Sequence, residues 1–114
     1  MKKIIKIEDG TCWVANTETD EKLYDAPYNP PNTGKEYTRG IDLYTHRTKN
    51  HGVQFYLLHW SMWQGEEEYI ETLTREEAIE FLKDQVGDYW DYPSASTVEM
   101  LKEKYDIDLM EETA

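Results

Sequence analysis

Carboxylates are the residues of this chain with the most chemical potential. Glu76, Glu80, Asp84 and Asp88 recur every fourth residue, and Glu66, Glu67 and Glu68 stand together shortly before them. Paired carboxylates can do general acid–base work, and a row of them can present a negative surface. His46, His51 and His59 could ligate a metal, and Cys12 could act as a nucleophile. Each chemistry needs its own arrangement in space. The elements that carry the residues therefore decide among them.

Residues 2–8 and 11–16 read as two strands around the turn signal Asp9-Gly10. Leu23 and Tyr24 extend another short strand. Residues 25–40 hold three Pro and two Gly, which excludes regular structure and predicts a long loop. Residues 41–47 and 53–61 form a hairpin that turns near residues 48–52. The second of these strands is apolar on both faces: Val53, Phe55 and Leu57 on one, Tyr56, Leu58 and Trp60 on the other. Such a strand belongs at the centre of a sheet. Residues 67–73 return as a further strand.

Thr74-Arg75-Glu76-Glu77 is a capping box that opens a helix, with Ala78, Ile79, Leu82 and Val86 on its apolar face and Gly87 as its stop. A second helix starts near Ser94 or Ser96, with Ser96 and Glu99 as another candidate box. It presents Val98, Leu101 and Tyr105. The fold class expected is α+β: a small antiparallel sheet of about four or five strands followed by two C-terminal helices, in one domain over residues 1–114. Residues 107–114 are expected to fray.

With this order the catalytic readings lose force. In an antiparallel hairpin, His46 lies near the turn and His59 at the far end, too distant at ~3.4 Å per residue to share an ion. Nothing singles out one acid pair, although Glu66, Glu67, Glu68 and Glu71 fall near His59. No phosphate loop or nucleophile motif accompanies them. Cys12, beside Trp13 in a strand, reads as a small buried residue. The sequence thus points to no enzyme, no metal and no cofactor.

Charge is more informative. The 114 residues carry a formal net charge of −12. Residues 1–60 hold eight acids and eight bases, whereas residues 61–114 hold sixteen acids and four bases. The C-terminal half therefore carries the whole excess. That opposes direct binding of nucleic acid or anionic lipid, and it argues against the two helices forming a DNA-reading helix-turn-helix. No apolar run approaches a membrane span, and a single cysteine suits a reducing cytosol.

Leu43-Tyr44, Gly52, Phe55-Tyr56-Leu57, Trp63-Gln64-Gly65-Glu66, Leu73, Glu77-Ala78 and Leu82 form a pattern across residues 43–82. It resembles a group of small bacterial and phage proteins of unassigned function. The resemblance implies a strand, turn, strand and capped helix, and no activity.

The reading favoured is a non-enzymatic acidic module that binds a basic protein surface. Its concrete form is a phage-type anti-defence inhibitor, like an anti-CRISPR protein, that occupies the groove of a nuclease or other nucleic-acid-binding protein in the bacterial cytoplasm. Four helical residues rise ~6 Å, and phosphates on one DNA strand advance ~3.4 Å, so the acids supply spaced negative charge rather than a copy of the backbone. The residues expected to meet the partner are Glu66, Glu67, Glu68, Glu76, Glu80, Asp84 and Asp88, with Trp63 as an apolar anchor. Tyr28, Tyr37, Tyr89, Trp90 and Tyr92 are further aromatic candidates. The alternative is a housekeeping or regulatory domain whose charge serves solubility and which could pair with itself through a sheet edge or through the aromatic linker of residues 88–93.

Overall fold

Alternating apolar residues generate strands before and after the Pro- and Gly-rich segment, of which residues 27–38 lie outside the described residues and Arg39 and Gly40 already belong to a strand, and the capped 3.6-residue pattern takes over after Leu73. The computed structural model describes residues 1–26, 39–63, 65–86 and 93–109. Among these, the strands are β1 (Lys2–Lys6), β2 (Cys12–Asn16), β3 (Glu21–Tyr24), β4 (Arg39–Arg47), β5 (Val53–Ser61) and β6 (Tyr69–Leu73). The helices are α1 (Arg75–Gln85) and α2 (Ala95–Tyr105). The protein is α+β. The main antiparallel sheet has four strands, β3–β4–β5–β6 in that order, as expected, and β1–β2 form a second, two-stranded antiparallel sheet.

The split arises at residues 16–20. The Asp20 amide donates to the Asn16 carbonyl (2.8 Å), and the Asn16 amide donates to Asp20 Oδ2 (2.8 Å). This tight turn redirects the chain, so that β3 pairs with β4 and leaves β2 with β1 alone.

β5 is central, as its two apolar faces require. Phe55 and Leu57 pack with Leu43, Ala78, Leu82, Leu101 and Tyr105 on the helix side. Tyr56 and Leu58 pack with Tyr44, Ile70, Trp13 and Ala15 on the hairpin side. Because Trp13 and Ala15 take the inward positions of β2, the period of two turns Cys12 outward. Cys12 is therefore exposed, contrary to the buried role expected for it. Trp60, expected in the core, is half-buried against both clusters and donates its indole N–H to Asp42 Oδ1 (3.1 Å).

The helices depart from expectation at their ends. α1 buries Ala78 and Leu82, but Val86 is its exposed C-cap. Gly87 lies outside the described residues. Ser94, not Ser96, caps α2 and accepts from the Thr97 amide (3.2 Å), so no Ser96–Glu99 box forms. Nor do residues 107–109 fray: Ile107 and Leu109 are buried in the core. Asp106, in the left-handed region at φ 55°, turns the chain back, and the Ile107 amide donates to the Leu101 carbonyl (3.0 Å). Arg75 closes the arrangement by donating to the carbonyls of Tyr105 (2.6 Å) and Asp106 (2.8 Å).

Two predictions follow from this packing. Ile107→Ala should lower stability by about 2–5 kcal/mol in denaturant unfolding; a loss below about 1 kcal/mol would mean that the segment does not pack. The second concerns Glu21, which accepts a hydrogen bond from the Tyr105 hydroxyl. That bond, more than the bond from Lys104 (3.2 Å), holds its carboxyl below the ordinary value of 4.5. A carboxyl lowered in the folded state stabilises above its unfolded pKa, and the benefit is lost as pH falls through the folded pKa. Glu21→Gln should therefore reduce Tm most near neutrality, with the two proteins converging as acid protonates Glu21. A difference that stays constant down to strong acid would contradict this origin.

Candidate functional site

β6 and α1 place the acidic residues, and only Thr74 separates them. The capping box holds that junction: the Thr74 side chain accepts from the Glu77 amide (3.2 Å), and Glu77 Oε1 accepts from the Thr74 amide (3.0 Å). α1 thus starts directly beside the edge strand, and a shallow groove lies between them. Leu57, Leu73 and Phe81 line it together with Glu71, Glu77, Glu80 and Asp84, around a volume of about 260 Å³. Four acidic and three apolar residues thus share one shallow surface, and no Lys or Arg is among the described lining residues.

A different cavity takes Glu66 and Glu67. The connection from β5 to β6 turns at Gly65, whose φ of +89° requires a residue without Cβ. Beside it lies a cavity of about 430 Å³ lined by Gly40, Ile41, His59, Trp60, Ser61, Glu66, Glu67 and Tyr69. His59 and Tyr69 are register partners, and their rings stack at 4.2 Å with 8° between planes. His59 Nε2 lies 2.9 Å from Glu71 Oε1, which joins this cavity to the acidic groove.

The residues expected at the partner surface therefore divide. Glu80 and Asp84 meet in the groove, Glu66 and Glu67 meet in the neighbouring cavity, and Glu68 and Glu76 are exposed but line neither. Trp63 is 42% exposed in the turn and also lines neither. Asp88, Tyr28, Tyr37, Tyr89, Trp90 and Tyr92 lie outside the described residues. Sequence reasoning missed Phe81 and Tyr69 as parts of these walls. Alternation along β6 and helical spacing from Glu77 were the signals that could have found them.

The structure also assembles a network that the sequence did not suggest. Asp20 Oδ1 is 2.7 Å from His46 Nδ1, and Asp20 Oδ2 accepts from the Tyr56 hydroxyl (2.6 Å). The His46 ring stacks on Trp13 at 5.0 Å. Burial, followed by the bond to Asp20, holds the Tyr56 hydroxyl well above the ordinary tyrosine range. An Asp–His pair is a known general-base device. Here its members clamp the β1–β2 hairpin to the sheet. His46, His51 and Cys12 line one cavity of about 470 Å³, yet His51 is held separately, at 3.2 Å from Asp9 and 3.1 Å from Thr11. Register places His46 opposite Gln54 and His59 opposite Ile41, at opposite ends of β4–β5. Among the described residues, no three His, Cys, Asp or Glu side chains are grouped to hold a metal ion.

Fold and site together define an α+β protein with an acidic sheet edge. Comparison with known protein families, with curated proteins and with solved structures finds no match to this chain. Among the described residues no helix is long and apolar enough to cross a membrane.

Glu80 stands four residues from both Glu76 and Asp84 on the exposed side of α1. Like charges at that spacing oppose helix formation by roughly 0.2–0.5 kcal/mol per pair. Glu80→Gln should therefore raise stability by a few tenths of a kcal/mol at low salt, and the gain should vanish at high salt. A loss of stability in low-salt unfolding would show that Glu80 is supported by a partner within the fold.

Proposed function

We propose that this protein is a non-enzymatic binding module that engages a basic protein surface through the β6–α1 edge. The supporting observation is that Glu71, Glu77, Glu80 and Asp84 line one shallow groove together with Leu57, Leu73 and Phe81. Carboxylates so placed attract a basic partner at long range, and the apolar residues offer contact once water leaves. Three of the four bases of the C-terminal half are engaged within the fold. Arg75 bonds the end of α2, Lys102 lies 3.7 Å from Asp108, and Lys104 lies 3.2 Å from Glu21. They do not line the groove.

The concrete form of the proposal is an inhibitor of the phage anti-defence type, anti-CRISPR-like, acting in the cytoplasm of a bacterial host. It would occupy the nucleic-acid groove of a nuclease or similar protein and exclude the natural ligand by charge and bulk. Size, the charge of −12 and its confinement to residues 61–114 support this class. Self-pairing through the β6 edge is disfavoured, because it would bring Glu68 and Glu71 of two copies together.

The deciding experiment captures host proteins on the immobilised chain at low salt and near 1 M salt, where the screening length falls to about 3 Å. The proposal expects a basic nucleic-acid-binding protein, released by salt and displaced by its own DNA or RNA. The triple variant Glu76→Lys, Glu80→Lys, Asp84→Lys should keep its circular dichroism and Tm while losing capture. Capture that ignores salt, or that survives the charge reversal, would leave the charge with a solubility role alone.

A further inference from the structure

We propose that the cavity at the β5–β6 end is a receptor for one arginine side chain of the basic partner. This rests on the reading of the chain as a binder of basic surfaces and names the group that the surface recognises.

The cavity combines two features that suit a guanidinium. Its first feature is a flat aromatic wall fixed in place. Tyr69 is held by register opposite His59, their rings are nearly parallel, and His59 is oriented by Glu71. His59 covers one face of Tyr69, yet Tyr69 remains 54% exposed, so ring surface stays open to a ligand. A planar cation stacks on such a surface through its π-face, and loses less freedom when the ring is already immobile. The second feature is carboxylate at the rim. Glu66 and Glu67 line the same cavity, and among the described residues Gly40, Ile41, Trp60 and Ser61 complete the wall. A guanidinium can lie against a ring while its N–H groups reach a carboxylate, an arrangement a compact ammonium fits less well. The volume of about 430 Å³ lies within the range of small-ligand sites, roughly 300–1,000 Å³.

Charge selects among occupants. Glu66, Glu67 and the adjoining Glu71 repel an anionic ligand, and a neutral apolar group would leave the carboxylates without new partners while shielding them from water. The neighbouring groove, with Glu71 reaching both sites, extends the same preference along a basic segment.

The test is a titration of the full isotope-labelled chain, followed by amide and indole resonances, with three blocked tripeptides. Each is Gly-X-Gly with X arginine, lysine or citrulline. Binding of one side chain should be weak, on the order of millimolar. Arginine should shift Tyr69, His59 and the Trp60 indole, with lysine weaker. Neutral citrulline, of nearly the same shape, should be weaker by about fivefold or more. Tyr69→Leu should lose about fivefold in arginine affinity. If that variant fails to fold, Glu67→Gln, in an exposed turn, should lose affinity for arginine and not for citrulline. Equal binding of citrulline, or full affinity in the variants, overturns the arginine receptor. The wider proposal stands or falls separately, because its charge-reversal variant alters Glu76, Glu80 and Asp84, none of which lines this cavity.

Discussion

The requirement that β5 be buried on both faces organises this protein. A strand with Phe55 and Leu57 on one side and Tyr56 and Leu58 on the other cannot sit at a solvent-facing surface. Each fully buried large apolar side chain contributes about 1.5–3 kcal/mol, so two covers are needed rather than one. The helices supply the first through Ala78, Leu82 and Leu101. The β1–β2 hairpin supplies the second through Trp13 and Ala15. The hairpin therefore lies over the sheet instead of extending it, although its own sequence would suit either place.

Two adjacent acids connect these layers. Asp20 faces the hairpin side, where it takes hydrogen bonds from the Asn16 amide and Tyr56 and sits against His46. Glu21 faces the helix side, where Tyr105 and Lys104 meet it. Asp20 closes the turn and Glu21 opens β3, and their side chains bond on opposite sides, so one dipeptide ties both covers to the central sheet. Asp42 is the buried counterpart. Burial pushes its carboxyl pKa up, while the Ala26 amide (2.8 Å) and the Trp60 indole supply hydrogen bonds that oppose that shift. A buried carboxylate without such donors would be strongly unfavourable. Gly40 belongs to the same corner, because a Cβ there would collide with the Trp60 ring.

The same packing leaves the acids outward. Arg75 is drawn to the carbonyl end of α2, Lys104 to Glu21 and Lys102 to Asp108, so three of the bases in the C-terminal half serve the fold. The two exposed ion pairs, of Lys104 and of Lys102, contribute little to stability, at most about 1 kcal/mol each. The larger consequence is placement: these three bases are held toward α2 and β3, and Lys83, on α1, is not among the residues that line the groove. Mutual repulsion along Glu76, Glu80 and Asp84 persists as a small standing cost of that face.

Much of this was legible in the residues. An apolar run with Val53, Phe55 and Leu57 on one face and Tyr56, Leu58 and Trp60 on the other put β5 at the centre, because both faces of that strand call for burial. The Thr74–Glu77 box marked the start of α1, because its hydrogen bonds are local. The distribution of charge needed only counting. Other features depended on contacts between distant segments. Whether residues 11–16 join the main sheet or cover it depends on the turn at Asn16–Asp20 and on Trp13 finding Tyr56 and His46. Whether residues 107–109 fray depends on space left between α2 and the sheet, which Ile107 fills. The division of the acids into a groove and an aromatic cavity depends on α1 packing beside β5 and β6 and on His59 meeting Tyr69. Sequence by itself determined the elements and the sign of the surface, since propensity, capping and charge are local. Tertiary structure alone decided which side chains share a wall, since that requires strands and helices far apart in the chain to bury one another's apolar faces.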